Sequence, residues 1–471
     1  MRSELTSDGC HVRTSAGRLV PVSDASADKC GIPEHLLSLA RRAPGSCGER
    51  PSCIPDKLWC TLYEYQRRSV CMVVNRFHGR CLLAHDMGLG KTMQAVAVMH
   101  HYGGPVLVLC PAFLRCNWEH ELCTWGVLDA HVQSYDSLRT RAPPARSWSL
   151  VVCDESHYLK QRDAQRTKAA LPLLHESDHV LLLSGTPCPN RPEELFVPMH
   201  ALRPSLVQTF EWFARRYCNA RRTRFSAFDT SGSSRRGELA WFLRRAFMIR
   251  LRKQDVLHDL PSKTCSVHYV RSSSEAAMVR LAELSEELDN CEVAVRQKAL
   301  VGEMFRWTCA AKRESVVSYV LERAHQSPVL AFAHHRETLD ALEAACRRQN
   351  LRVERIDGST PLAGRQAVVD RVQAGDSVDV CCFSMGAAGV GLTLTALHRV
   401  VFMELPWNPA LLRQCEDRVY RIGQKNNCFI EYLLCKDTLD DHVWKRIESK
   451  ERMFGTLCAH APTHAPHTAS D

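Results

Sequence analysis

Short apolar runs recur along this chain, several of them followed by a longer stretch without helix breakers. That pattern predicts buried strands alternating with helices. In the first half, residues 81–84, 149–153 and 180–183 have the length and composition of strands, and 93–101 reads as a covered helix. The second half repeats the scheme, with strands over 329–333, 352–356, 378–383 and 400–403 and helices over 337–349 and 365–373. Alternation at this spacing predicts an α/β fold of two lobes. Each lobe is expected to be a mainly parallel sheet flanked by helices, with helical protrusions between the two and a cleft where they meet.

The loop after the first strand carries the most chemistry. Asp86, Met87, Gly88, Leu89, Gly90, Lys91 and Thr92 lie between a strand and a helix, so a phosphate placed there meets backbone N–H groups at a helix N-terminus. Gly88 and Gly90 let the backbone approach the phosphates closely. Lys91 supplies a point charge for the β- and γ-phosphates, and the Thr92 hydroxyl can ligate Mg2+. The strict phosphate-loop spacing is not met, because His85 stands where its first glycine belongs.

Two acids end the next strong strand. Asp154 and Glu155 fall at its C-terminal end, where ligands bind in open parallel sheets. Asp154 is suited to hold Mg2+, and Glu155 to orient or deprotonate an attacking water. Ser184, Gly185 and Thr186 end the third strand. From the far half, Arg418 and Arg421 stand three apart, so that on a helix they share a face and can both point at a γ-phosphate. Arginine fingers contribute roughly a thousandfold to a hundred-thousandfold in P-loop enzymes.

Taken in order, DMGLGKT at 86–92, DESH at 154–157, SGTP at 184–187 and EDRVYRIGQ at 416–424 resemble the motifs of superfamily-two helicases, and of Swi/Snf-type ATPases in particular. The segments FAHH at 332–335, IDGST at 356–360, YCNA at 217–220, SGSS at 231–234 and GEL at 237–239 resemble the HARP-type annealing helicases, which rewind or remodel branched DNA. The likeness runs over residues 55–441.

The resemblance implies two RecA-like lobes, ATP and Mg2+ as cofactors, and movement along duplex or branched DNA. It gives Gln66 the adenine edge and places Gly391 at the ATP cleft. It implies DNA contact or coupling for Pro111, His157, Ser184, Gly185, Thr186, Thr393 and Gln414, and it puts Trp118 and Glu119 just after a segment whose backbone touches DNA. His85 and His398 depart from the pattern, each standing where an acid is usual. On this basis the expected organisation is an N-terminal segment at 1–54, an ATP-binding lobe at 55–205, helical protrusions and a basic brace at 206–315, a C-terminal lobe at 316–455 and a flexible tail at 456–471. The alternatives are a nucleosome-remodelling ATPase of the same superfamily and a catalytically silent DNA-binding scaffold.

Charge adds an independent pointer to nucleic acid. The formal net charge is +9, and residues 211–260 alone hold twelve Lys and Arg against five Asp and Glu. Arg221, Arg222 and Arg224 lie in this stretch among several aromatics, the pattern expected of a phosphate-backbone contact. At 471 residues with 45% hydrophobic content the chain can fill two cores. It has no uninterrupted apolar run of the roughly 18 residues that a membrane span needs, and no secretory leader pattern.

The 23 cysteines are scattered singly through strands and helices, as small buried hydrophobes in a reducing compartment would be. Cys47, Cys53 and Cys60 match no paired zinc-ligand spacing. The composition of residues 1–54, apart from a short helix near 33–42, reads as partly disordered. The expected setting is a monomer in the nucleus, or with DNA inside the cell if the source is not eukaryotic, with single-strand-binding or replication proteins as further candidate partners.

Overall fold

The computed structural model describes residues 3–26, 32–42, 48–185, 191–221, 228–257, 259–375, 378–386, 392–407 and 409–458. The chain divides into two compact units, Met1–Val256 and Leu257–Glu451. No helix among the described residues is long and apolar enough to cross a membrane.

The first unit opens with an antiparallel meander of β1 (Glu4–Leu5), β2 (His11–Arg13) and β3 (Leu19–Pro21), followed by the helix Glu34–Arg41. The disorder expected from the composition of residues 1–54 is therefore not what their described part adopts. Leu5, Val12, Val22, Leu36 and Leu37 are all buried, in one core with Trp241 and Phe242. Leu5, Val12 and Val22 sit singly among polar or small residues, so a pattern search passes over them.

The main sheet of this unit holds β4 (Arg80–Leu83), β5 (Val106–Cys110), β6 (Ala130–Ser134), β7 (Leu150–Cys153), β8 (His179–Leu183) and β9 (Met248–Ile249). Their order is β6-β5-β7-β8-β4-β9, and every pairing is parallel. Alternate residues of the central strands enter two different cores. Leu82, Leu109, Val151 and Leu182 go to one, and Leu83, Val108, Val152 and Leu183 to the other. Both faces are apolar because helices cover both, which is why these strands read as continuous hydrophobic runs.

The second unit is built the same way on β10 (Lys263–Val270), β11 (Val329–Ala333), β12 (Val353–Ile356), β13 (Val380–Ser384), β14 (Arg399–Phe402) and β15 (Cys428–Cys435). The order is β10-β15-β14-β11-β13-β12, again all parallel. The stretch 206–315 holds helices, including Arg236–Ala246, Glu275–Asp289 and the start of Ala294–Ala324. It also supplies an edge strand to each sheet, β9 to one and β10 to the other. Within the long helix, Lys312 is fully buried and pairs with Asp440 at 2.8 Å while donating to the Leu433 carbonyl at 2.7 Å.

One carboxylate ties the N-terminal meander to the first unit. Glu238, fully buried, accepts from Arg216 Nε and Nη2 at 2.6 and 2.7 Å, from the Tyr217 hydroxyl at 2.9 Å and from the Leu5 N–H at 2.8 Å. Removing one partner of a buried ion pair strands the other. Glu238→Ala is therefore expected to destabilise the protein by about 3–5 kcal/mol, read by chemical denaturation. The same change should open residues 3–24 to proteolysis, and retention of wild-type stability would refute the role given to this hub.

Candidate active site

The C-terminal end of β4 leads into a loop whose shape is set from below. Gly88 and Gly90 adopt φ of 81° and 69°, and Gly90 caps the helix Lys91–Tyr102 in the left-handed conformation. A Cβ on Gly90 would meet Gln66 Nε2 at 2.2 Å, so glycine is demanded twice at this position. Beneath the loop lies a buried polar floor. His85 Nε2 is 3.1 Å from both Ser69 Oγ and Gln94 Oε1, and its Nδ1 accepts the Leu251 N–H at 3.1 Å. Gln94 and Gln66 donate to the Leu89 carbonyl at 3.0 and 3.1 Å.

Three residues singled out in the sequence are engaged within the protein here. His85 is wholly buried and hydrogen-bonded within the protein, under the loop. The Asp86 carboxylate accepts from Arg250 Nη2 at 2.9 Å and the Lys253 N–H at 3.1 Å, so it clamps the loop to the chain after β9. Gln66, assigned to adenine, has its oxygen on the Tyr63 N–H at 2.9 Å and its amide nitrogen on Leu89. An amide nitrogen carries two N–H donors and its oxygen two lone pairs, so these bonds do not by themselves bar an adenine edge. The Lys91 ammonium donates to the His85 and Asp86 carbonyls at 2.9 and 3.2 Å.

At the end of β7, two carboxylates follow one another. Asp154 accepts from Trp118 Nε1 at 2.9 Å and from the Glu155 N–H at 2.8 Å, and its carbonyl accepts from the Tyr135 hydroxyl at 2.7 Å. Burial first and the neighbouring Glu155 charge second raise the Asp154 carboxyl to about 6, against the opposing pull of Trp118 and Lys91. Glu155 holds φ of 47°, a left-handed conformation that a non-glycine residue adopts at a cost and that concentrates at functional sites. Its carboxylate lies 3.2 Å from His157 Nδ1, and the same nitrogen is 3.5 Å from Ser184 Oγ. Glu155, His157 and Ser184 thus link the ends of β7 and β8.

Gly185 closes the arrangement, since a Cβ there would meet Met87 Cγ at 2.6 Å. Pro111 is buried just beyond β5 and caps a short turn of helix. A recessed pair of carboxylates, one raised toward neutrality and within the field of the Lys91 ammonium, is a donor set that fits Mg2+ and a triphosphate.

In the second unit, the helix Pro409–Glu416 carries Gln414 and stops before the arginines. Glu416 is buried and pinned by Lys263 and by the Tyr432 hydroxyl, the latter at 2.8 Å, and the chain leaves the helix there. Arg418 and Arg421 therefore lie in turns, not on a shared helical face as their spacing had suggested. They remain neighbours. Burial, and then the Arg418 charge, lowers the Arg421 guanidinium below its ordinary range, a condition that an anion would relieve. The Leu394 N–H donates to the Arg418 carbonyl at 2.9 Å, which joins the segment containing Thr393 to the arginines.

Thr186, Arg222, Arg224 and Gly391 lie outside the described residues. Arg221 is exposed, with its backbone paired to Asp229. Much of the basic stretch is engaged internally. Arg235, Arg244 and Arg245 donate to the carbonyls of Ser3, Ser7 and Leu39, and Arg250 to Ala84. Trp118, which the sequence placed after a DNA-touching segment, is instead fully buried on Asp154.

Sequence reasoning missed Gln94, Tyr135, Arg250 and Lys253, whose partners are mostly distant in the chain. The only local signal was Gln94, one turn into the helix after the loop. Among the described residues, Cys309, His335 and Glu404 could each offer a metal a ligand atom. Glu404, however, is already taken by the His334 and His335 N–H groups at 2.7 and 2.9 Å and by Thr338 Oγ1 at 2.5 Å, capping the helix Arg336–Arg348.

Known proteins resemble this chain over most of its length. The SNF2-related domain covers residues 65–137 and 128–294, and the helicase conserved C-terminal domain covers 311–423. A SWI/SNF-related matrix-associated actin-dependent regulator of chromatin subfamily A-like protein 1 homolog from Caenorhabditis elegans is 34% identical over 464 residues, spanning 92% of this chain and 67% of that protein. The DNA annealing helicase and endonuclease ZRANB3 of Bos taurus is 33% identical over 446 residues, 86% of this chain and 41% of its own length. A solved structure, the Sulfolobus solfataricus SWI2/SNF2 ATPase core in complex with dsDNA, aligns with a TM-score of 0.42 and 22% identity over 87% of this chain and 94% of that one. The chain spans less than half the length of its vertebrate relatives, 46% of the protein from Xenopus tropicalis for example. With both domains matched in order and a 34% identical relative covered over 67% of its length, the chain belongs to the SNF2-related family of helicase-like, DNA-dependent ATPases.

Proposed function

We propose that this protein is an ATP-driven translocase on duplex DNA that remodels or reanneals branched DNA such as stalled forks. The observation that carries the reading is the gathering of Lys91, Asp154 and Glu155 at one edge of the first sheet, together with a coupled arginine pair, Arg418 and Arg421, in the second unit. A relative named as an annealing helicase supports the branched-DNA substrate, and another named as a regulator of chromatin supports a nuclear setting.

In this reading Lys91 leaves the loop carbonyls for the β- and γ-phosphates, and backbone N–H groups of residues 88–92 cradle them. Asp154 and Thr92 would hold Mg2+, which neutralises charge on the phosphates when bound. Glu155 orients the attacking water and takes its proton, with His157 beside the carboxylate to hold its rotamer. Arg418 and Arg421, from the second unit, would stabilise the charge that builds on the γ-phosphate. Ser184, bridged to Glu155 through His157, and Thr393, tied to Arg418 through Leu394, are the positions through which DNA contact would reach the chemistry.

ATP hydrolysis measured without DNA and with single-stranded, duplex, forked and nucleosomal DNA tests the reading. Forked or duplex DNA is expected to stimulate most, whereas a preference for nucleosomes would favour a chromatin remodeller. Lys91→Ala and Glu155→Gln should each lower turnover by at least about a hundredfold without abolishing DNA binding. Substantial residual turnover in either would refute the assigned roles.

The proton on Asp154 sets a second expectation. Its folded value, about 6, lies above the ordinary carboxylate value of 3.8, so the folded state binds this proton more tightly than the unfolded chain does. The ionised form thus opposes folding. This penalty is absent below about pH 4, grows between about 4 and 6, and is complete above that. Asp154→Asn should therefore stabilise the fold at pH 7 by on the order of 2–3 kcal/mol while removing hydrolysis. Mg2+-dependent activity of the wild type should fall as pH drops below about 6. A melting temperature that is unchanged or lowered in Asp154→Asn would count against this account.

A further inference from the structure

The chain after β9 runs alongside the phosphate loop before it leaves the first unit. Ala84 N–H donates to the Ile249 carbonyl at 2.8 Å, and Asp86 N–H to the Leu251 carbonyl at 3.0 Å. In return, Leu251 N–H donates to His85 Nδ1 at 3.1 Å and Lys253 N–H to the Asp86 carboxylate at 3.1 Å. Arg250 adds bonds to the Ala84 carbonyl at 2.7 Å and to Asp86 Oδ1 at 2.9 Å. Both backbone groups of Leu251 are thus held by two residues of the loop. Three residues after the short helix begins at Lys253 the first unit ends, and the chain enters the second at Leu257.

One peptide plane joins this connector to the nucleotide-binding lysine. The His85 carbonyl accepts from Lys91 Nζ at 2.9 Å, and the Asp86 N–H on the same plane donates to Leu251. We propose that the His85–Asp86 peptide passes nucleotide occupancy to the connector between the two units. When Lys91 turns from the His85 carbonyl to a phosphate, that plane loses the partner fixing its carbonyl side. A rigid peptide cannot rotate at one end alone, so its N–H shifts against the Leu251 carbonyl. Asp86 and Arg250 act as positioning residues, keeping the connector in register with the loop so that the shift is transmitted.

The inference rests on the nucleotide-binding reading above, and the experiment separates the two. Amide hydrogen exchange is followed on the full chain with and without the magnesium salt of a non-hydrolysable ATP analogue. Peptides over 88–92 should become protected, and those over 250–257 should change their exchange rate by about tenfold, the scale of one backbone hydrogen bond. In the paired replacement Arg250→Met with Asp86→Asn, which leaves no lone buried charge, 88–92 should still be protected while 250–257 no longer responds. Arg250→Lys, which keeps the charge and one donor, should restore part of the response, and it serves as well if the paired variant does not fold. A wild type that protects 88–92 with no change at 250–257 overturns the coupling and leaves the nucleotide reading standing. A full response in the paired variant overturns the role given to Asp86 and Arg250. No protection at 88–92 removes both readings.

Discussion

Parallel pairing delivers the C-terminal ends of β4, β7 and β8 to one side of the first sheet, and the loop that follows β4 can keep a phosphate-binding shape there only if its underside is satisfied. That underside is not apolar. His85, Gln94, Ser69 and Gln66 are all buried there, and each is hydrogen-bonded to another of the set or to a loop carbonyl. Leaving one of these groups without its partner would cost about 1–3 kcal/mol, so the network specifies one loop conformation rather than several. The substitution of His85 for an acid then has a physical reading. A neutral imidazole accepts Leu251 N–H on one nitrogen and meets Ser69 and Gln94 on the other, a role for two sides of the site that a carboxylate, which only accepts, would fill differently.

The parts of the fold legible in the sequence were those whose signal is local. β4, β7, β8 and β11 are buried on both faces and read directly as apolar runs, and Gly88 and Gly90 mark the positive-φ positions of the loop. The two-residue β9 and the edge strand β10 were not legible. β9 is too short to carry a period, and β10 is exposed at alternate positions with Cys265, Val267 and Tyr269 facing outward. β15 was missed for a different reason: its apolar run, broken only by Glu431, followed a motif that drew attention to its own chemistry. In the candidate site, sequence singled out Lys91, Asp154 and Glu155 but not the side chains that hold them. Trp118 on Asp154 and Arg250 on Asp86 are 36 and 164 residues apart in the chain, and nothing in either segment announces its partner.

The arginine pair shows the same limit from the other side. A spacing of three suggested a helical face, yet the helix ends at Glu416, whose side chain is held by Tyr432 of β15 and by Lys263 of β10, the latter 153 residues away. The turn that follows still keeps the two guanidinium groups close enough to lower Arg421. Proximity survived while the geometry that predicted it did not, so the spacing alone was weaker evidence than the motif. The basic stretch fared similarly. Its excess of charge is real, but Arg216, Arg235, Arg244 and Arg245 are occupied with Glu238 or with backbone carbonyls of the N-terminal segment. Clustered arginine here builds the unit first, and a count of charge along the sequence overstates what faces a polyanion.

That internal use of arginine bears on how the site can be both stable and reactive. At the end of β7 the structure tolerates two adjacent acids, a non-glycine residue at φ of 47° and a carboxyl raised toward neutrality, each of which opposes folding. The opposition is met locally by the Trp118 and Tyr135 bonds to Asp154, and remotely by the Glu238 hub, which binds the N-terminal meander into the core that backs β7. Without that meander and the helix Glu34–Arg41 the face of the sheet opposite the helix Lys91–Tyr102 would lose Leu5, Val12, Leu36 and Leu37 from its covering layer. The N-terminal segment is on this view part of the catalytic unit's stability, supplying buried apolar surface that lets the end of β7 keep a strained and highly charged arrangement.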